Sequence, residues 1–142
     1  MISNFMFQIV DQFLKCGDEI HFYAIYEALK LFHTQNVALT TPKQRDFLKL
    51  SQKLFLRDSK EGSEGIFDFT AARMLNILAF YNSLTREIVD KVFNVEYLDV
   101  FEQSLTRIKP EHRTNMRREL MMLNRTVTIL HPEFGVSPEM CF

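Results

Sequence analysis

The sequence of 142 residues contains no tryptophan, two cysteines, four glycines and four prolines. This composition excludes collagen-like, low-complexity and disulfide-rich secreted proteins, because each of those classes needs a marked excess of particular residue types. No apolar run approaches the roughly 18 residues that a membrane-spanning helix requires, so we expect no membrane segment. Cys16 and Cys141 form no CxxC pair. They therefore predict two reduced thiols in an intracellular protein, with neither a zinc site nor a redox motif.

An excess of charge is also absent, since 17 Lys and Arg residues face 18 Asp and Glu residues and leave a formal net charge of −1. No overall field marks a nucleic-acid-binding protein. Lys15 is the one cation of the N-terminal stretch and no arginine precedes Arg45, a pattern unlike a signal peptide or an organelle presequence. What the chain has is 46% hydrophobic residues, including 14 phenylalanines. A single domain over residues 1–142, with a core of its own, is therefore expected.

Apolar residues recur at spacings of three and four along most of the chain, which predicts an all-α fold of six or seven helices. The alternation and hairpin turns typical of strands are missing. Short helices with apolar residues on several sides suit stacked helical hairpins, as in an α-solenoid, as well as a closed bundle. A loose likeness between residues 28–33 and 76–81, each followed by a Thr-capped helix, favours the stack.

Capping residues predict where the second, third and fourth helices begin. The segment TPKQ at residues 41–44 predicts the start of the third helix, because it combines a Thr cap, a proline in the first turn and a glutamine that can reach back to the cap. Asp18 and Asp68 are predicted to cap the second and fourth helices. Residues 58–65 hold two of the glycines and almost no apolar side chain, so they predict the one clear loop.

The second half of the chain carries similar signals. Thr85 is predicted to cap the fifth helix, which we expect to break near Asn94 before it resumes. Pro110 begins the last helix and Pro132 ends it. Residues 135–142 are predicted to form an extended tail.

A search for catalytic motifs finds none. The sequence has no Gly-rich phosphate loop, HExxH, GxSxG or kinase signature set. Its four histidines are scattered, and no two have the helical spacing that presents a pair of metal ligands. We therefore expect no enzymatic activity, no metal, no cofactor and no small-molecule substrate.

A local basic segment is the most informative charge feature. Between residues 107 and 125 six cations face two carboxylates, whereas residues 87–102 are mainly acidic. An arginine fork can donate two parallel hydrogen bonds to a phosphate, so the segment predicts contacts with RNA phosphates. The candidate residues are Lys109, Arg113, Arg117, Arg118 and Arg125.

The geometry of a helix divides these candidates into two patches. Arg118 and Arg125 point nearly opposite the apolar stripe, while Arg113 and Arg117 lie on one flank. The alternative interpretation is that an acidic helix and a basic helix are simply complementary neighbours.

Three segments of the second half resemble those of a known family. They are MLNILAFYN at 74–82, Val92-Phe93 with Leu98 and Phe101 farther on, and LMMLNR at 120–125 running into HPEF at 131–134. On these segments residues 68–142 resemble the FAST kinase domain-containing family. This sequence differs from the family pattern at His131, where the family commonly has cysteine, and at Phe134, where the family has tyrosine.

The resemblance implies a helical-repeat scaffold of mitochondrial proteins that govern RNA processing, stability and translation. In that family a nuclease-like RAP module follows, and this sequence ends before one, so we expect a middle segment or a short member without catalysis. The predicted function is a non-catalytic module that binds RNA or positions an adjacent RNA-acting domain. The alternative is a helical protein-interaction or oligomerisation adaptor that does not bind nucleic acid. A concave basic groove would favour RNA, and an exposed apolar patch would favour a protein partner.

Overall fold

The computed structural model describes residues 2–60 and 66–136, and within them it has seven α-helices and no strand. The all-α prediction and its number of helices are confirmed. The helices are α1 (Ile2–Cys16), α2 (Phe22–Thr34), α3 (Pro42–Lys60), α4 (Ile66–Phe80), α5 (Arg86–Asp90), α6 (Val95–Leu105) and α7 (Pro110–Leu130). Short 3-10 turns occupy Gly17–Glu19 and Pro132–Phe134.

Most helices pack against their second neighbour along the chain. Helix α1 contacts α3, α2 contacts α4, α3 contacts α5 and α4 contacts α6. This order is typical of stacked helical hairpins. Helix α7 departs from it, because it packs back on α4, which also contacts α2, α3 and α6. Helix α4 is therefore the central element, and its neighbours α2 and α7 flank it.

Phenylalanines fill much of the core between the first three helices. The buried ring of Phe47 on α3 lies 5.6 Å from Phe13 on α1 and 5.4 Å from Phe32 on α2, and both contacts are edge-to-face. Such aromatic pairs contribute beyond the area that they bury. The apolar cluster continues without interruption through α4 to α6 and α7, so both halves of the chain share one core.

Two predicted caps, at Thr41 and Thr85, are confirmed by their hydrogen bonds, and Asn94, predicted only as the site of a break, is a third cap. The side-chain oxygen of Gln44 accepts from the backbone N–H groups of Thr40 and Thr41 at 2.9 and 3.0 Å, and the Thr41 hydroxyl accepts from Gln44 N–H at 3.3 Å. This is a capping box. The side chains of Thr85 and Asn94 each accept from the backbone N–H three residues on, at 3.3 and 2.8 Å. The break predicted near Asn94 is the junction between α5 and α6.

The prediction that Asp18 caps the second helix is wrong. Asp18 lies within the 3-10 turn, and α2 begins at Phe22 after His21, whose Nδ1 accepts from Tyr23 N–H at 3.1 Å. The reason is Ile20, which is buried and adopts extended backbone before the helix starts. Burying that side chain displaces the cap by three residues.

The boundaries around the predicted loop also differ. Helix α3 continues through Lys60, so the loop predicted over 58–65 begins too early, and residues 61–65 lie outside the described residues. Its last turn is stabilised by the Ser59 hydroxyl, which donates to the Leu56 carbonyl at 2.7 Å. Asp68 lies inside α4 rather than at its cap, because α4 begins at Ile66.

The start of α7 at Pro110 and its end before Pro132 are confirmed. Of the tail predicted over 135–142, residues 137–142 lie outside the described residues. Val136 packs half-buried against the core.

Candidate nucleic-acid interface

Helix α7 carries four of the five predicted RNA contacts, and Lys109 is its N-cap residue. The helix buries Leu120, Leu123, Asn124 and Val127. Because these positions recur every three or four residues, the remaining faces are left for the charged side chains. The structure thus places the arginines on two different faces, as the helical spacing predicts.

Arg113 and Arg117 are engaged with α6 and its end. The Arg113 guanidinium donates to the carbonyls of Ile108 and Thr106 at 3.0 and 3.3 Å. Arg117 forms an ion pair with Glu102 of α6 at 2.9 Å, and this hydrogen bond raises the pKa of Arg117. For these two residues the arrangement matches complementary neighbouring helices.

Arg118 and Arg125 differ from that pair. Both side chains are exposed, and neither forms a hydrogen bond or ion pair with any residue in 2–60 or 66–136. Seven residues of helix separate them, which is about 10 Å along the axis. Lys109 is likewise exposed and has no such partner in the same part of the chain.

A groove runs between α2 and α7 with α4 as its floor, and sequence reasoning missed it. Its wider section has a volume of about 380 Å³, and a narrower section of about 230 Å³ adjoins it, since Arg73 and Glu119 line both. The side chains that line the wider section include Lys30, His33, Arg73, Asn76, Phe80 and Met122. The narrower section adds Tyr26, His112 and Asn115.

The floor of the groove fixes Glu119, the one carboxylate among the described residues that line it. Asn76 Nδ2 donates to the Glu119 side chain at 3.0 Å and to its backbone carbonyl at 2.9 Å, which ties α4 to α7. Arg73 is exposed and has no ion pair among the described residues. Lys30 lies 3.8 Å from Glu27 and 6.0 Å above the ring of Tyr26.

Phe80 is an exposed aromatic ring held in a defined position. Its centroid lies 4.7 Å from that of His33 and 5.1 Å from that of Tyr81, both in edge-to-face geometry. The Tyr81 hydroxyl donates to the Val37 carbonyl at 2.8 Å, and burial raises the pKa of Tyr81 to about 12. Although it is packed on two sides, Phe80 leaves 57% of its surface to solvent.

Arg118 and Arg125, which have no partner among the described residues, border the groove. Asn115 and Met122, which line it, stand three residues before and four residues after Arg118. Side chains at these spacings are neighbours on a helix surface, so Arg118 lies along the α7 lip. Arg125 follows Met122 by three residues and extends the same edge.

A weak signal of the groove was present in the sequence. Arg73, Asn76 and Phe80 are spaced by three and four along α4, so they form one stripe of a helix whose other side chains over residues 70–80 are mostly buried. What this stripe faces depends on α2 and α7, which local spacing does not reveal.

Two other kinds of site are absent from the described residues. Within the described residues no group of three or more His, Cys, Asp or Glu side chains could hold a metal ion. In the same part of the chain no helix combines the length and the apolar character needed to cross a membrane. Comparisons with protein-family models, curated proteins and solved structures give no match.

Proposed function

We propose that this chain is a non-catalytic α-helical module of a mitochondrial RNA-processing or RNA-stability regulator, and that it binds single-stranded RNA. The observation that carries the proposal is that Arg118 and Arg125, along the lip of the groove, have no partner within residues 2–60 and 66–136. The mitochondrial setting and the role in RNA metabolism are supported by the resemblance of residues 68–142 to the FAST kinase domain-containing family.

The predicted RNA contacts are ranked by whether each guanidinium already has hydrogen-bond partners in the protein. Arg118 and Arg125 can turn both nitrogens of the fork to a phosphate without breaking an existing bond. Arg113 and Arg117 would first have to leave two carbonyls or Glu102. Phosphate contacts are therefore assigned chiefly to the first pair, with Lys109 as a third cation at the start of α7.

The test is a double charge reversal, Arg118→Glu with Arg125→Glu. Its matched control is Arg45→Glu with Arg86→Glu, because these arginines are also exposed, lie on α3 and α5, and change the net charge equally. Affinity for a fluorescent single-stranded oligouridine is measured by anisotropy between about 50 and 200 mM salt. The salt slope is the steepness with which the logarithm of affinity falls with the logarithm of salt concentration. Losing two phosphate contacts lowers this slope by about 1.4, at about 0.7 per contact for single strands.

Two results would contradict the proposal. Equal weakening by both double variants would mean that only net charge matters, and an unchanged affinity in the α7 variant would remove its arginines from the interface. Circular dichroism of each variant checks that the helices persist.

A second candidate function, a protein-interaction adaptor, is favoured by a different observation. Met122 and Leu130 of α7 and Phe80 of α4 are exposed large apolar side chains that line the groove, and Ile129, next to Leu130, is exposed as well. Exposed apolar patches of this kind mark protein contacts. A chain that self-associates through this patch and binds no RNA would have this second function instead.

A further inference from the structure

We infer that the groove between α2, α4 and α7 seats one unpaired nucleotide of single-stranded RNA, with its base against Phe80 and a flanking phosphate at Arg73. The inference rests on the proposed RNA function and names the site at which that function is exercised. It extends the interface from the α7 lip into the groove.

The first support is the state of the Phe80 ring. His33 and Tyr81 hold it edge-on, while 57% of its surface stays in contact with solvent. A fixed and exposed ring offers a base a stacking surface with little further loss of side-chain freedom. Phe47 and Phe55, by contrast, are fully buried and serve the core.

The second support is the size of the groove. A volume of about 380 Å³ lies at the lower end of the range of small-ligand sites, which suits one nucleotide. The bases of an RNA duplex are stacked inside the helix and cannot reach a ring at the floor of such a groove. The site therefore selects unpaired RNA.

The third support is the set of polar groups that line the groove. Arg73 supplies positive charge in the section that Phe80 lines, and the amide of Asn115 in the adjoining section can pair with base or ribose edges. The opposing carboxylate of Glu119 is occupied by its hydrogen bond from Asn76. Arg118 on the lip continues the path of the backbone out of the groove.

The absence of tryptophan allows a direct test. Phe80→Trp introduces the chain's one indole, so its fluorescence reports stacking at that site. Phe5→Trp is the matched control, because Phe5 is also 57% exposed but lies on α1, away from the groove. Oligouridine is expected to quench the indole at position 80 and to leave the indole at position 5 unchanged.

Affinity gives the second readout. Phe80→Ala is expected to weaken oligouridine binding about 5- to 150-fold, the range that removal of a base-stacking aromatic produces. Phe5→Ala is expected to leave it unchanged. Arg73→Gln should weaken binding and lower the salt slope by about 0.7, whereas Arg45→Gln on α3 should change neither. Binding to a blunt RNA duplex should be the same in all of these proteins.

The outcomes separate this inference from the proposed function. If Phe80→Ala binds like the wild type while the Arg118 and Arg125 reversal weakens binding, the groove assignment is wrong and the RNA function stands. If the wild type does not bind oligouridine even at low salt, both fall. The nucleotide assignment would be wrong if Phe80→Ala lost affinity for the duplex as much as for oligouridine. It would also be wrong if the wild type bound no RNA and formed a dimer that Phe80→Ala dissociates.

Discussion

Replacing Tyr81 by phenylalanine removes one hydroxyl that joins two distant parts of the chain. That hydroxyl donates to the Val37 carbonyl at 2.8 Å and so connects the residue after α4 to the segment between α2 and α3. A hydrogen bond of this kind contributes about 1 kcal/mol net, and the Val37 carbonyl is half-buried, so water can replace part of the lost contact. We expect Tyr81→Phe to lower the free energy of unfolding by about 1 kcal/mol at pH 7.

Burial of the same hydroxyl makes the loss of stability dependent on pH. Burial raises the pKa of Tyr81 from 10.0 to about 12, so the folded state holds this proton more tightly than the unfolded state does. The stabilisation is therefore fully present below pH 10 and is lost as the pH rises through 12. The full shift corresponds to about 3 kcal/mol, and solvent screening of a half-buried group reduces it to about 1–2 kcal/mol.

Urea unfolding followed by circular dichroism measures this effect in both proteins from pH 7 to pH 12. Tyr23 and Tyr26 are present in both, so their titration cancels in the comparison. The stability gap between wild type and Tyr81→Phe should narrow above pH 10. A gap that stays constant to pH 12, or one that is absent at pH 7, would refute the role assigned to this hydroxyl.

Two further substitutions test the cap of α5 and the structural role of Arg113 on α7. Thr85→Ala should lower the free energy of unfolding in urea by about 1 kcal/mol, because the hydroxyl caps the five-residue helix α5; unchanged stability would show that the cap contributes nothing. Arg113→Met should lower the free energy of unfolding by about 1 kcal/mol, because the guanidinium donates hydrogen bonds to two carbonyls at the end of α6. The same substitution should leave the salt slope of RNA binding unchanged. A fall in that slope would place Arg113 in the interface.

Helix existence and most helix starts could be predicted because they depend on local chemistry. The TPKQ segment, Thr85 and Asn94 each satisfy backbone N–H groups within three or four residues, so no distant contact is needed to position them. Asp18 and Asp68 are acceptable caps in isolation, yet neither serves as one. In the first case the burial of Ile20 decides where α2 begins, and burial is a tertiary property.

The candidate site could be predicted only in part, for the same reason. The cations of residues 109–125 are visible in the sequence, and helical spacing divides them into two patches. Among the described residues Arg117 is paired and Arg118 is not, and this depends on Glu102 of α6, which lies fifteen residues from Arg117 along the chain. The groove requires α2, α4 and α7 to meet, so Lys30 and Arg73 become neighbours only through packing.

The near-zero net charge of the chain does not weigh against RNA binding at this surface. At physiological ionic strength the screening length is about 8 Å, so a phosphate responds to the charges near it rather than to the sum over the chain. Arg118 and Arg125 share one edge of α7, whereas Glu102 meets the opposite flank, where Arg117 neutralises it. The residues that stabilise α7 against α4 and α6 lie on other faces from these two arginines. RNA affinity and folding stability should therefore respond to different substitutions on the same helix, which is why charge reversal on the lip can be assayed in a folded protein.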